Sequence, residues 1–305
     1  MENRLVSIVV VTRNRKADLF DCLTSLHKQT YKNIEIIVVD NASDEIQEDF
    51  VKKYFPEIIV VRSRINLGGA GGRNLGIKFT KGEFLLFIDD DAVADDKLVE
   101  ELLISISHKK AGVVQPKIYD KDKPRTFQGL GHGVNFYTGK VYGIAIRETD
   151  KGQYEDDFEI PMAGCCWMVK RKVINKIGVY DEDYFIPYED TDFSWRAHRA
   201  GFTVLLSAKA KVWHQGPKTT SLHGRLQWLG ITTPDKAYRL TRNKIIFMSK
   251  HAPALNLIIF FIIFVPIYNI THALVIISTG KIGLLPSYWK GVASGIIYFV
   301  RHRLL

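Results

Sequence analysis

Residues 84–91 read Phe84-Leu-Leu-Phe-Ile-Asp-Asp-Asp91, an unbroken apolar run that ends in three carboxylates. A strand exposed on one face alternates apolar with polar residues. A run with no alternation is buried on both faces, as in a parallel sheet covered by helices. The same signature recurs on the N-terminal side at Val6–Val11, Ile34–Val39 and Ile58–Val61. Between these runs, residues 17–28 place Leu19, Phe20, Leu23 and Leu26 at helical spacing, and residues 68–81 open on glycines and continue as a helix. Short apolar strands alternating with helices predict an α/β domain with a largely parallel sheet up to about residue 214. In such sheets ligands bind at the loops that follow the strands, which directs attention to the strand ends.

The strand ends carry acids. Asp89 and Asp91, one residue apart, point to the same side of an extended chain. Three clustered carboxylates repel each other unless a cation compensates them, and hard oxygen ligands suit Mn2+ or Mg2+. Asp40 closes the second strand, in Val39-Asp40-Asn-Ala-Ser43, where it accepts hydrogen bonds from a base or ribose, or else it or Ser43 caps the next helix. The cluster Asn66-Leu-Gly-Gly-Ala-Gly-Gly-Arg73-Asn74-Leu-Gly76 allows close approach of backbone to a ligand and sets Arg73 near a helix start. It is not a dinucleotide fingerprint, because Gly69-x-Gly71 is followed by Asn74 where glycine is required. It is not a P-loop either, since Gly76 is followed by Ile77-Lys78. Further on, Tyr188-Glu189-Asp190-Thr-Asp192 leads a helix whose later Arg196 and Arg199 precede Gly201. Acids in a first turn serve the helix dipole, and one beside a bound donor can act as a general base. Ala210-Lys-Val-Trp213-His214 reads as a short strand ending in a histidine that is either structural or a ligand.

The net charge of +9 predicts attraction to an anionic partner: nucleotide, nucleic acid or phospholipid headgroups. The basic residues gather around a charge-free stretch, Leu257 to Ile277, with Arg239, Arg242, Lys244 and Lys250 before it and Lys281, Lys290, Arg301 and Arg303 after it. They lack the interleaved stacking platform that single-stranded nucleic acid needs, so a membrane accounts for them better and no nucleic-acid partner is expected. Pro266, Asn269, Thr271 and His272 inside the stretch predict a break, or a hairpin that returns to the same face, and aromatic anchors are available in Tyr268, Tyr288, Trp289 and Tyr298. A catalytic domain over residues 1–235 and a membrane-association region over 236–305 follow from this change of composition. The polar, glycine-punctuated segment 215–236 between them has the character of a binding loop that orders on donor binding. Three cysteines, Cys22, Cys165 and Cys166, make no disulfide framework and no zinc spacing. Cys165, Cys166 and Trp167 read as pocket-wall residues without assigned chemistry. The N-terminal apolar run is too short for a signal peptide, so the expected location is the cytoplasmic face of the cell membrane.

Taken together and in this order, VSIVVVTRNR, IIVVDNASDE, NLGGAGGRNLGI, KGEFLLFIDDDA, AGCCWMVKRKVINKIGVYDEDYF, YEDTDFSWRAHRAGF and VWH resemble the family-2 inverting glycosyltransferases of the GT-A fold. The later YRLTRNKIIFMSKH and the apolar tail resemble rhamnosyltransferase-like members that act on lipid-linked glycans. The resemblance implies that Thr12, Asp40 and Arg73 hold the nucleotide, with Asp89 near the ribose. It implies that Asp91, with Asp89 and His214, holds Mn2+ or Mg2+ against the donor diphosphate. Asp190 would be the base, and Gly164 and Glu189 would line the sugar or acceptor pocket. A sugar-phosphate nucleotidyltransferase and a non-catalytic, membrane-bound glycan-binding protein are the competing readings. The first normally carries a basic glycine-rich loop near the N-terminus, which VTRNRKADL is not.

Overall fold

The computed structural model describes residues 4–108, 110–215, 226 and 229–304. The chain divides into two compact units, one of Met1–Gly133, Gly143–Phe185 and Glu189–Gly216, the other of Val134–Tyr142, Ile186–Tyr188 and Pro217–Leu305. The first unit opens with β1 (Val6–Thr12), α1 (Lys16–His27), β2 (Ile34–Asn41), α2 (Glu48–Tyr54), β3 (Ile59–Ser63), α3 (Gly68–Ile77) and β4 (Phe84–Asp89). It continues through β5 (Ala92–Ala94), α4 (Leu98–Ile106), β6 (Ala111–Asp120), β7 (Lys123–Gly129), β8 (His132–Asn135), β9 (Lys140–Gly143), β10 (Phe158–Glu159) and β11 (Cys166–Lys170), apart from Val134–Tyr142, the end of β8 and most of β9, which belongs to the second unit. Helices α5 (Arg171–Ile177) and α6 (Glu189–Arg199) and strand β12 (Thr203–His214) complete it, while β8 and β9 pair in a small sheet of their own.

The main sheet runs β10-β12-β6-β11-β4-β1-β2-β3, with β5 on β12 and β7 on β6. The four strands expected from the apolar runs lie side by side and parallel: β4 on β1, β1 on β2, β2 on β3. Alternate residues feed two cores: Ile8, Val10, Val38, Leu86 and Ile88 pack on one face, Val9, Ile37, Val39, Leu85 and Phe87 on the other. Burial on both faces is why these strands show no alternation. Each such side chain contributes about 1.5–3 kcal/mol on leaving water. Helix α3 lies so close to β1 that a Cβ on Gly76 would sit 2.4 Å from Val9 Cγ1 and one on Gly72 2.6 Å from Val11 Cγ1. The glycine cluster is thus a packing surface for the first strand.

The sheet is more mixed than the sequence suggested. β11 enters antiparallel between β4 and β6, and β5 turns back antiparallel on the end of β12. β12 itself runs from Thr203, seven residues before the expected Ala210, with its register against β6 shifted between Ser207 and Lys211. That irregularity breaks the apolar pattern, so only the end of the strand is legible.

In the second unit α7 (Pro234–His251) starts at an N-cap, Thr233, whose side chain accepts from the Lys236 amide. Then come α8 (Ala254–Ile259), a π-helical turn over Phe260–Phe264, α9 (Val265–Ser278), a 3-10 turn over Ile282–Leu284, and α10 (Leu285–Phe299). Helix α10 docks on α7 through two glycines: a Cβ on Gly291 would meet the Tyr238 carbonyl at 2.4 Å, and one on Gly295 would meet Ile245 Cβ at 2.8 Å. The break expected at Pro266 takes the form of the π-helical turn, not a hairpin. Proline lacks the N–H for the regular ladder, and one wider turn absorbs the defect. From Ala254 to Ser278 the chain remains one helical rod of 25 residues, whose most apolar 18 residues have a mean hydropathy of 2.2 and are only 11% buried. Its exposed side carries Leu255, Ile258, Ile262, Pro266, Ile270, Leu274 and Ile277 at three- and four-residue spacing. Phe260, Val265 and Ile276 are its buried side chains. Residues 216–225 and 227–228, most of the segment expected to form a binding loop, lie outside the described residues.

Candidate active site

The acids are gathered by a turn. β4 ends at Asp89, the chain reverses through Asp90 and Asp91, and β5 pairs with β12 so that Ala92 stands opposite His214. This places the histidine beside the acids: His214 Nε2 lies 3.0 Å from Asp91 Oδ1 and 3.8 Å from Asp89 Oδ2. The ring is oriented from behind by Gln128, whose Oε1 is 2.7 Å from His214 Nδ1 and whose Nε2 donates to the His214 carbonyl at 2.7 Å. Asp90 turns the other way and accepts from Thr12 Oγ1 at 2.7 Å. Arg15, the last basic residue of VTRNR, reaches both Asp90 and Asp91.

These contacts divide the three aspartates. Burial lifts Asp90 to about 7, against the opposing bond from Thr12 and the charge of Arg15. Burial also raises Asp89, against Arg73 and His214. Asp91 is held below the ordinary carboxylate range because the bond and charge of His214, then Arg15, outweigh its burial. His214 would be lowered by burial, but Cys165, Asp91 and Asp89 push it up to about 12. The protein groups thus hold a positive charge on the imidazole, between the carboxylates. A divalent cation ligated by the same atoms answers the same electrostatic demand.

Asp89, Cys165 and His214 each present one donor atom, all within 4.8 Å of one another, and Asp91 Oδ1 touches the same imidazole. Two carboxylates and an imidazole form a donor set that Mn2+ accepts.

The second half of the site is tied to the first by Arg73. Its Nη2 donates to Asp89 Oδ1 at 3.0 Å, and its Nη1 to Glu189 Oε1 at 2.8 Å. The guanidinium stacks over Trp167 at 4.9 Å from the ring centroid. Burial opposes its charge, and Asp89 and Glu189 more than restore it. Glu189 is buried, its Oε2 has no hydrogen-bond partner, and burial and then Asp190 raise its pKa against the pull of Arg73. Breaking a buried pair of this kind costs about 3–5 kcal/mol, so the bridge fixes β4 against the start of α6.

Asp190 follows directly. Its Oδ1 accepts from the Thr191 amide at 2.6 Å and from Thr191 Oγ1 at 3.2 Å. Its Oδ2 faces Gly164, where an added Cβ would stand 2.9 Å away. Gly164 is held by its amide on Gln115 Oε1 at 2.9 Å, and His132 Nε2 lies 3.0 Å from Thr191 Oγ1. Burial lowers the His132 pKa, against the charge of Asp190, favouring a neutral ring.

Asp89, Asp91, His214, Arg73 and Glu189 therefore form one connected cluster, with Asp190 and Gly164 paired beside it. Thr12 joins through Asp90. Asp40 is fully buried, with Oδ1 accepting from the Ser43 amide at 2.9 Å and Oδ2 from the Gln47 amide at 3.2 Å. Its carboxylate organises the loop after β2 up to Gln47, the residue before α2, and no side chain caps that helix. Arg15, Gln115, Gln128, His132 and Thr191 were not foreseen, and Cys165 was read only as pocket wall. Only Arg15 gave a signal, as a cation at the end of the first strand.

The model of Glycosyl transferase family 2 matches residues 7–178, which carry the acid turn, Arg73 and Gly164. The chain belongs to this family. It is similar to Glycosyltransferase GlyG of Streptococcus pneumoniae, 33% identical over 160 residues, which is 50% of this chain and only 52% of that protein. It is similar along nearly its whole length to dTDP-rhamnosyl transferase RfbF of Shigella flexneri, 24% identical over 92% of this chain and 90% of that one. Among solved structures, GalNAc-T7 with UDP, GalNAc and Mn2+ superposes with a TM-score of 0.60 at 17% identity, covering 80% of this chain and 51% of that chain. At that identity the superposition establishes the shared fold, the GT-A arrangement that the family resemblance implied.

Proposed function

We propose that this family-2 glycosyltransferase moves a sugar, with inversion, from a nucleotide-diphosphate donor to a hydroxyl of a lipid-linked glycan or polysaccharide precursor at a membrane surface. The observation that carries the reading is the Asp89–Arg73–Glu189 bridge. It holds a cation-binding cluster of Asp89, Asp91 and His214 beside a carboxylate, Asp190, with one oxygen turned towards Gly164.

Each group then has a role. Asp89, Asp91 and His214 would hold Mn2+ or Mg2+, which would supply Lewis-acid stabilisation to the departing diphosphate. Thr12 steadies Asp90, and Asp40 shapes the loop that receives the nucleoside. Arg73 acts mainly through the two carboxylates it joins, keeping Asp89 at the ribose side of the donor. Glu189 and Gly164 line the sugar and acceptor pocket. Asp190 removes the acceptor proton as the oxygen attacks the anomeric carbon from the face opposite the leaving group. General-base assistance of this kind contributes about 10²–10⁴-fold. Thr191 holds Oδ1, which leaves Oδ2 for the proton.

The apolar side of the rod Ala254–Ser278, flanked by basic residues, supports attachment to an anionic lipid surface, and we place the enzyme on the cytoplasmic face. Similarity to a dTDP-rhamnosyl transferase supports a deoxyhexosyl or hexosyl donor.

The test is nucleoside-diphosphate release from UDP-, GDP- and dTDP-sugars with Mn2+ and an isoprenoid-diphosphate glycan acceptor. Product configuration is read by NMR. Release from one donor, dependent on acceptor and giving the inverted anomer, is expected. An Asp190→Asn variant that binds nucleotide yet turns over at the wild-type rate would remove Asp190 as the base, and a retained anomer would remove the single displacement.

A further inference from the structure

The donor set at the acid turn contains sulfur. Cys165 lies between Gly164 and β11, and its sulfur falls within 4.8 Å of a carboxylate oxygen of Asp89 and a ring nitrogen of His214. The other two cysteines, Cys22 and Cys166, are fully buried in the core and have no place in that group. The backbone of Cys165 is left-handed, with φ of 64°, a conformation that favours glycine over any residue with a Cβ. Its carbonyl accepts from the Asp89 amide at 3.2 Å, so the cysteine is stitched to the backbone of the acid it faces. A side chain is kept where glycine would be cheaper, and that side chain points at a carboxylate and an imidazole.

We propose that Cys165 is a further protein donor to the divalent cation, beside Asp89 and His214. The resulting oxygen, nitrogen and sulfur set favours sulfur-tolerant cations such as Co2+ and Zn2+ over Mg2+. This rests on the reading that the acid turn binds a divalent cation, and it goes beyond it by naming a ligand and a selectivity. Carboxylates alone suit Mg2+, whereas thiolate and imidazole shift preference towards Zn2+ and its neighbours. Ligands around a tetrahedral ion of this type stand about 3.5 Å apart, from bond lengths of about 2.0–2.3 Å, so donors within 4.8 Å of one another close by at most about 1.3 Å on binding. On coordination the sulfur lone pair forms the bond to the cation, and the thiol proton leaves to solvent. No oxidant or reductant is involved.

The experiment uses the full-length chain in detergent and two variants, Cys165→Ser and Cys165→Gly. The glycine variant is matched to the left-handed backbone and separates loss of sulfur from loss of fold, which circular dichroism checks in both. Cobalt is titrated in, and the near-ultraviolet thiolate-to-cobalt charge-transfer band is recorded. Zn2+ and Mg2+ affinities are measured by competition with a metallochromic indicator. Expected are a charge-transfer band in the wild type that is absent in both variants, and a Zn2+/Mg2+ affinity ratio lower by about tenfold or more, since losing even an outer support of a metal ligand costs about 10–100-fold. Alkylation of Cys165, mapped by peptide mass, is blocked by Zn2+ in the wild type. Cobalt binding without the band, an unchanged ratio in the variants, or alkylation indifferent to Zn2+ overturns the sulfur ligand and leaves the metal reading standing. Failure of every divalent cation to bind overturns both.

Discussion

Replacing Gly164 by alanine probes the base without touching it. The added Cβ would stand 2.9 Å from Asp190 Oδ2 and 3.4 Å from His132 Cε1. Ordinary contact begins at 3.4 Å, so against the carboxylate the shortfall is 3.4 − 2.9 = 0.5 Å. Oδ1 is pinned by the Thr191 amide at 2.6 Å, and the retreat must come from rotation about χ1 or χ2 that strains that bond. An off-rotamer torsion of this size costs about 0.5–1.5 kcal/mol, which a chain of this length shows as a melting shift of only a few degrees. Catalysis is more sensitive. A misplacement of about 1 Å costs about 10²-fold, so half of that predicts a fall in kcat of about tenfold. The atoms nearest the added Cβ belong to Asp190 and His132 and none to Asp89, Asp91 or His214, so Mn2+ and nucleotide affinities stay at wild-type values. The assay is acceptor-dependent nucleoside-diphosphate release under donor saturation, with nucleotide binding by calorimetry and folding by thermal melt. A variant with wild-type kcat, or one whose loss lies wholly in donor affinity, refutes the argument that Gly164 exists to give Asp190 Oδ2 its room.

Three further outcomes are expected. Asp90, lifted by burial to about 7, is penalised once ionised, so its contribution is complete below its unfolded pKa near 3.8 and is lost as pH rises through 7. Asp90→Asn, neutral throughout, should therefore gain on wild type by about 2 kcal/mol between about pH 5 and about pH 8 in EDTA, and a stability difference flat with pH would contradict the burial argument. Gly291→Val places side-chain atoms where the Tyr238 carbonyl stands 2.4 Å from even a Cβ. Overpacking of this kind costs about 1–3 kcal/mol, and hydrogen exchange should quicken in α7 and α10 while the amides of β1 and β4 keep their protection. Ile262 and Ile270 are 71% and 62% exposed on one side of the apolar rod. Changing both to glutamate should abolish cosedimentation with anionic phospholipid vesicles without lowering the melting temperature, and undiminished binding would locate the lipid contact elsewhere.

The parts of this protein that were legible in its sequence are those whose cause is local. An apolar run buried on both faces announces a central strand, and β1, β2, β3 and β4 lie where such runs are. Acids that terminate a buried strand announce themselves as well; Asp89 and Asp91 both approach His214, but through the turn at Asp90 and Asp91 and not along the extended chain that the alternation assumed. What stayed hidden depends on pairing across the chain. The residue that connects the site is Arg73, and its second partner, Glu189, lies 116 positions away, so nothing in the glycine cluster reveals where the guanidinium is spent. Asp40 had two roles open to it, and only the approach of the Ser43 and Gln47 amides shows that both oxygens are engaged. Cys165 was set aside as pocket wall because vicinal cysteines carry no metal spacing. Its neighbours at the site come from β4 and β12, and its left-handed backbone cannot be read from residue type. His214 joins these cases: alone it is an ordinary histidine at a strand end, and it becomes a ligand candidate only because three residues of β5 fold back and seat Ala92 opposite it. Chemistry in this chain is assembled by its shortest and least regular elements, so a family motif marks where to look while the partners of each motif residue decide what it does.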